Sequence, residues 1–138
     1  MNRSNEMETK QQIGNQVQLF LWQPPKKNHD AMVRFPKQVN DHFREQGMQP
    51  QELFQLNDNS NCKTSVDMVF TDIYNAVSAN QYEDEIWPEL YSYKDQNHQE
   101  KVGATMQTDK SGGQLLRQFM DLIRPGSCIE GQFGLVRV

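Results

Sequence analysis

Apolar residues in this chain form short strand-like runs that alternate with stretches of helical periodicity. The run at residues 17–22 is apolar and aromatic and stops at Pro24-Pro25, which is typical of a buried strand. After Asn28, a candidate helix cap, apolar residues recur every three or four positions as far as Gly47. This part of the sequence therefore predicts a strand followed by a helix.

Pro36 falls inside the predicted helix. Because proline has no N–H to donate, either the helix kinks at this residue or a separate turn comes first and the regular helix begins near Pro36. We favour the short separate turn.

The middle of the chain predicts two further strands with an insertion between them. Residues 51–56 suit a second strand, and the turn-forming residues 57–61 suit a loop. Residues 65–80 carry apolar side chains at helical spacing and predict an inserted helix. Residues 85–93 are rich in strand-favouring types, and Pro88 within them predicts a bulge or a local break in pairing.

The last third of the chain predicts two helices and a final strand. Asp95 is a good N-cap for a helix that residues 111–113, Ser-Gly-Gly, interrupt. A second amphipathic stretch follows at residues 115–123. Residues 128–138 suit a strand with a bulge near Gly134.

The order β-α-β-(α)-β-α-α-β predicts an α+β fold, a ferredoxin-like βαββαβ sheet with helices on one face. The length suits one domain, which we place at residues 15–138, after a disordered polar tail at residues 1–14.

Both faces of the first and third strands carry large apolar side chains, so both faces need a cover. Right-handed crossovers place the helices on a single side. We expect the helices to leave the aromatic side bare, and a second copy of the chain to cover it, with Gln18 and Glu89 in a partly wet interface. The predicted partner is thus a homodimer through the open sheet face.

Composition narrows the function classes. The net charge of −4 and the pI near 5.3 make nucleic acid an unlikely partner. An RNA-associated role would need a basic patch, for which the candidates are Lys26, Lys27, Arg34 and Lys37. Two distant cysteines without a CxxC, and no apolar run of membrane-spanning length, predict a cytoplasmic protein with no membrane contact.

The weak catalytic candidates are His98, Glu89 and Tyr91. His98, at a helix start beside an aromatic strand, could act as a base, although a partly buried structural role is the stronger interpretation. Glu89, between Trp87 and Tyr91 on one face, could be a proton-abstracting carboxylate of raised pKa or could pair across a dimer. His29 and His42 suit ordinary surface roles.

An aromatic cluster is the candidate ligand-binding set, against the commoner alternative that aromatic side chains at alternate strand positions simply pack together. Its members are Trp22, Trp87, Tyr91 and Tyr93. Gly112-Gly113-Gln114 matches the release-factor tripeptide by chance, and Cys128 suits a small buried residue. Because no nucleotide, zinc-protease or EF-hand pattern occurs, we expect no cofactor and no metal.

With this pattern established, the chain resembles the YbaA-like family of the dimeric α/β-barrel superfamily over residues 17–138. The resemblance rests on Pro24-Pro25-Lys26-Lys27-Asn28, on Trp87-x-Glu89-Leu90-x-Ser92-Tyr93-Lys94-Asp95 leading into His98, and on Gln118-Phe119-Met120-Asp121. Pro88 departs from the apolar strand residue expected there. The resemblance implies a ferredoxin-like homodimer and brings no established activity.

The leading hypothesis is a small homodimeric α/β-barrel protein that binds a small apolar molecule. The alternatives are a cofactor-independent monooxygenase-like enzyme that uses His98, Glu89 and Tyr91, and an RNA-associated protein.

Overall fold

The computed structural model describes residues 15–45, 51–57 and 70–136. The predicted tail at residues 1–14, most of the predicted loop at 57–61 and the start of the predicted inserted helix lie outside these ranges. No helix within them is long and apolar enough to cross a bilayer.

The fold is α+β, with an open four-stranded antiparallel sheet in the order β2-β3-β1-β4. The strands are β1 (Gln16–Trp22), β2 (Gln51–Leu53), β3 (Trp87–Tyr93) and β4 (Ile129–Gly134). The helices are α1 (His29–Arg44), α2 (Ile73–Ala76), α3 (Gln96–Thr108) and α4 (Lys110–Met120), and a 3-10 turn, Lys26–Asn28, precedes α1.

The register of the two central strands decides which side chains share a face. In the β1–β3 pair Phe20 lies opposite Glu89 and Trp22 lies opposite Trp87. Directly opposed residues of an antiparallel pair point to the same side of the sheet. The aromatic residues of both strands therefore share one face with Glu89, as the sequence predicted.

The helices cover this aromatic face, which corrects the expectation that it would be bare. One buried cluster joins strand residues Tyr91 and Tyr93 to Val39 and Phe43 of α1 and Val102 of α3. A second joins Trp22 and Trp87 of the sheet to Met32, Phe119 and Ile123. The larger aromatic side chains bury more apolar surface than the aliphatic ones, so the helices pack on them.

The opposite face of the sheet, called here the open face, carries smaller and mainly aliphatic side chains. The helices that form the two buried clusters lie on the other side of the sheet, and the apolar members of the open face are half-buried or exposed. They are Val17, Leu19, Leu21, Pro88, Leu90, Ile129 and Phe133. The sequence thus predicted a bare apolar face correctly but identified the wrong one.

Pro36 lies within a continuous α1, so the preferred prediction of a helix starting near Pro36 is wrong. Proline removes one helical hydrogen bond, which costs about 3 kcal/mol in an ordinary helix interior. Burial of Met32, Val39 and Phe43 on one side of α1 offsets that loss.

The pairing of the described strands contains no bulge at Pro88 or Gly134. The other alternative predicted for Pro88, a local break in pairing, agrees with the β2–β3 ladder, which ends at Leu53 and Glu89. Pro88 pairs in register with Leu21, and its carbonyl accepts from the Phe54 N–H at 2.8 Å. The amide nitrogen and the carbonyl of one residue in an antiparallel strand point toward the same neighbouring strand. The Pro88 nitrogen, which carries no hydrogen, therefore points toward the β2 side, just beyond Leu53, the last residue of β2 that pairs with β3. Gly134 likewise pairs directly with Gln16.

The inserted helix is much shorter than predicted. In the part described from Phe70 onward, α2 is a single turn that Asp72 caps through the Asn75 N–H at 2.8 Å. Ser78 follows with a left-handed φ of 57°, a conformation that a helix cannot continue through. The apolar spacing beyond Ala76 therefore does not belong to a helix.

The junction between α3 and α4 lies at Asp109, not at the predicted Ser-Gly-Gly interruption. Asp109 caps α4 by accepting from the Gly112 N–H at 3.0 Å, so the glycines lie inside the helix. A Cβ at Gly112 would approach the Phe43 ring to 2.5 Å. Close packing of α4 on α1 explains why residue 112 is a glycine, with no need for the release-factor motif that Gly112-Gly113-Gln114 matches.

We predict that Gly112→Ala destabilises the protein by about 1–3 kcal/mol, because the methyl group overlaps the Phe43 ring in a packed interface. The matched control is Gly113→Ala, whose Cβ would come no closer than 3.8 Å to a side-chain atom and should raise helix stability slightly. Urea unfolding of both variants measures the difference. Equal stability of the two variants would contradict the packing explanation.

Candidate functional site

Two carboxylates are buried on the helix-covered side of β3. Glu85, just before the strand, has 9% of its surface exposed, and Glu89 has 3%. Each accepts a hydrogen bond from an indole: Trp87 Nε1 donates to Glu85 Oε1 at 3.0 Å, and Trp22 Nε1 donates to Glu89 Oε1 at 3.0 Å. Buried carboxylates are costly without such partners, so these two positions are the candidates for chemistry.

Glu89 lies in the middle of the sheet among aromatic side chains. Burial raises the pKa of Glu89, and the hydrogen bonds from Trp22 and Tyr91 only partly counteract it. Burial, together with the Glu89 charge, raises the pKa of Tyr91 well above its ordinary value and that of Tyr93 to about 12. Glu89 and Tyr91 thus form a hydrogen-bonded pair that can hold a proton away from solvent.

Glu85 lies at the end of the same face, where four chain segments meet. Its two oxygens lie 3.0 and 2.9 Å from His29 Nδ1, and Gln55 Nε2 donates to Oε2 at 3.1 Å. The Glu85 N–H itself donates to the Pro24 carbonyl at 2.9 Å. The side chain of His29 is 42% exposed, so the pair connects a buried carboxylate to solvent through an imidazole.

The predicted ligand-binding aromatics share the helix-covered face of the sheet but divide between the two buried clusters, where they fill the space that they were expected to line. Trp22, Trp87, Tyr91 and Tyr93 are each at most 8% exposed. Trp22 stacks on Phe20 with ring centroids 4.8 Å apart and meets the Phe119 ring edge-on at 5.0 Å.

An open depression of about 490 Å³ lies elsewhere in the fold, around α2 and the turn that follows it. Its lining is mostly polar and contains none of the predicted ligand-binding residues. The lining residues are Asp72, Tyr74, Asn75, Ser78, Ala79, Asn80, Gln81 and Tyr82.

The three predicted catalytic residues do not form one site within the subunit. Glu89 and Tyr91 are paired, whereas the His98 ring packs against Tyr93, with ring centroids 5.8 Å apart. Tyr93 is four residues along β3 from Glu89, or about 13 Å. His98 Nδ1 accepts from the Lys94 N–H at 3.1 Å, so this ring nitrogen is engaged with the backbone.

Two histidine–carboxylate pairs join residues that are far apart in the sequence, and no sequence pattern predicted them. His29 was expected to be an ordinary surface residue, yet it bonds Glu85 across 56 residues. His42 likewise bonds Asp109 across 67 residues at 2.6 Å. No local pattern signals these pairs, because sheet pairing and helix packing create them.

Two further surface features differ from simple expectations. Cys128 is exposed rather than buried. The basic residues considered for RNA are exposed along the 3-10 turn and α1, but Asp30 and Asp41 are exposed on the same helix. Positive charge is therefore not segregated there.

The described residues contain no group of three or more histidine, cysteine, aspartate or glutamate side chains that could hold a metal ion. Comparison with protein-family models gave no match, and no curated protein matched the chain either.

We predict that wild-type stability falls as pH rises through the titration of Glu89. The folded-state pKa lies above the ordinary value of 4.5, so between the two pKa values the folded protein binds more protons than the unfolded chain. This contribution is fully present below about pH 4.5 and is lost above the raised pKa. Glu89→Gln, which keeps an acceptor for Trp22, should be more stable than wild type at neutral pH, with the difference shrinking toward pH 4. Urea unfolding from pH 4 to 8 measures it, and parallel curves for the two proteins would contradict the assignment.

Proposed function

We propose that the chain is a ferredoxin-like subunit of a homodimeric α/β barrel, and that it binds a small apolar molecule between its sheet and helices. The observation that carries the proposal is the asymmetric cover of the sheet, with helices over one apolar face and an open, equally apolar face opposite. The resemblance to the YbaA-like family points the same way.

The strand order supports the ferredoxin-like topology. In a βαββαβ chain with right-handed crossovers, the first and third strands are central and every neighbouring pair is antiparallel. The order β2-β3-β1-β4 fits this arrangement, with α1 between β1 and β2 and with α3 and α4 between β3 and β4. Both crossovers place their helices on the aromatic face.

The chemistry of the open face supports a second copy as its cover. Its centre is apolar, because Leu19 lies between Leu90 on β3 and Gly131 on β4, and the Phe133 ring lies over Gly131. The charged Glu52 lies on the edge strand β2, so polar groups are at the rim. Two such sheets packed face to face, about 10 Å apart, would bury the whole apolar patch of both copies.

The apolar surface continues past the last strand, which increases the area available to a partner. Leu135 and Val136 are 53% and 76% exposed, and Phe133 at the end of β4 is 53% exposed. Leu135 is held to the sheet by a hydrogen bond from its N–H to the Asn15 carbonyl at 2.8 Å. An ordered apolar edge of this kind suits an interface between protein chains better than contact with water.

The chemistry of the packed aromatic cluster between sheet and helices supports the ligand, which has to displace a packed ring to enter. The cluster combines rings that a small apolar molecule can stack on with one buried polar anchor, the Glu89 carboxyl. A ligand with a single N–H or O–H donor satisfies that anchor, while a second anion near Glu89 is disfavoured. Entry requires the Phe119 ring to move from its contact with Trp22.

We predict that the wild-type protein sediments at about twice the 16.1 kDa chain mass and that Leu19→Glu converts it to a monomer. A charge at the centre of an apolar interface loses its hydration with no partner in the other copy. The control is Val33→Glu, which changes an apolar residue that is 58% exposed on α1 and should leave the dimer intact. A wild-type monomer at micromolar concentration would refute the assembly.

We predict that indole, a neutral aromatic with one N–H donor, binds the wild-type protein and raises its melting temperature. At ten times its Kd a ligand stabilises the folded state by about 1.4 kcal/mol, or a few degrees for a domain of this size. Benzoate, an anion of similar size, is the control and should bind more weakly near Glu89. Equal shifts with indole and benzoate, or no shift with either, would count against this site.

A further inference from the structure

The three histidines of the chain differ in which ring nitrogen is available for reaction. His98 Nδ1 accepts a backbone N–H, so the neutral ring carries its proton on Nε2. His42 has Nε2 engaged with Asp109. In His29, by contrast, Nδ1 donates to the Glu85 carboxylate, which leaves the Nε2 lone pair of the neutral ring unprotonated.

The Glu85 carboxylate is held firmly in the position that fixes this tautomer. Trp87 Nε1 donates to one oxygen and Gln55 Nε2 to the other. The residues that carry these donors are tied into the sheet, since Trp87 begins β3 and the Leu56 N–H donates to the Ile86 carbonyl at 2.8 Å. The carboxylate therefore orients the imidazole, and packing orients the carboxylate.

Such a pair has the geometry of an activated imidazole. An acceptor on Nδ1–H stabilises the positive charge that develops on the ring when Nε2 forms a new bond. Because the His29 side chain is 42% exposed and the Glu85 side chain only 11%, the reactive nitrogen belongs to the accessible member of the pair.

We propose that the His29–Glu85 pair is an acyl-accepting site, in which His29 Nε2 attacks the carbonyl carbon of a neutral activated ester or thioester. The Nε2 lone pair forms the bond to carbon, and the bond from that carbon to the oxygen or sulfur leaving group breaks. The leaving group takes the electron pair and a proton from a water molecule, which leaves hydroxide and a cationic acyl-imidazole that keeps its Nδ1 proton. Hydroxide adds to the acyl carbon, the carbon–nitrogen bond breaks with its electron pair returning to Nε2, and the free acid and neutral His29 are released.

The charges around His29 are of both signs. Glu83, Asp84 and Glu85 form the segment that leads into β3, and Asp84 is paired with Arg124, whose Nε donates to Oδ1 at 3.0 Å. Lys26 and Lys27 lie in the 3-10 turn directly before His29, and the Lys26 N–H donates to the Glu83 carbonyl at 2.9 Å. Because acidic and basic groups oppose one another there, the charges do not select an anionic acyl donor, and the proposal is made for a neutral one.

The first test uses the unmodified protein. Diethyl pyrocarbonate should acylate His29 at least tenfold faster than His42 or His98, as measured by peptide mapping over time. In the same sample, long-range ¹H–¹⁵N NMR should show the neutral His29 ring protonated on Nδ1. Acylation of His29 no faster than that of His98, or a ring protonated on Nε2, would overturn the proposal.

The second test separates activation by Glu85 from simple exposure of His29. Glu85→Gln preserves the size of the side chain but removes its charge, so the acylation rate at His29 should fall at least fivefold while the rate at His98 stays unchanged. The wild-type protein should hydrolyse 4-nitrophenyl acetate, and His29→Gln should lose most of that activity. Circular dichroism checks that each variant is folded. An unchanged His29 rate in folded Glu85→Gln, or unchanged ester hydrolysis in His29→Gln, refutes the role; if Glu85→Gln does not fold, the wild-type measurements decide.

Discussion

The antiparallel register between β1 and β3 is the constraint on which the rest of this structure depends. By placing Phe20 opposite Glu89 and Trp22 opposite Trp87, it gathers the large rings of both central strands on one face. A helix that packs on the aromatic face buries more apolar surface than one that packs on the aliphatic face. Helices α1, α3 and α4 therefore pack on the aromatic face, and the aliphatic face stays open. A shift of one residue in this pairing would exchange the two faces of one strand and destroy the core.

The same register explains why acidic residues are buried in a chain with limited apolar content. Residues 85, 87, 89 and 91 alternate with residues 86, 88 and 90, so the carboxylates of Glu85 and Glu89 and the rings of Trp87 and Tyr91 fall on the same side of the sheet. Each carboxylate accepts an indole N–H, from Trp87 for Glu85 and from Trp22 for Glu89. The indole groups therefore serve both the apolar core and the polar groups inside it.

The two carboxylates nevertheless differ in what they can do, and position along β3 is the reason. Glu89 is enclosed by the sheet and helices, so burial dominates and raises its pKa. Glu85 lies just before the start of β3, close in space to the start of α1, where the half-exposed His29 can reach it. Glu89 is suited to hold a proton or to anchor a neutral ligand, and Glu85 is suited to orient the reactive ring of His29.

Several features of the protein could be read from local sequence because they depend on near neighbours. The strand at 17–22, the cap at Asp95 and the alternation of aromatic and aliphatic residues belong to this class. Local signals failed where a distant contact overrode them. Pro36 is tolerated because Met32, Val39 and Phe43 are buried beside it, and Gly112 lies in a helix because Phe43 packs against it.

Local sequence patterns were enough to predict the α+β composition and the order of the main elements. Which face the helices cover, and which acidic residue meets which histidine, came from the folded arrangement. These outcomes depend on pairs separated by tens of residues, such as Glu85 with His29 and Asp109 with His42. Chain folding brings such pairs within hydrogen-bonding distance, and no local periodicity encodes them.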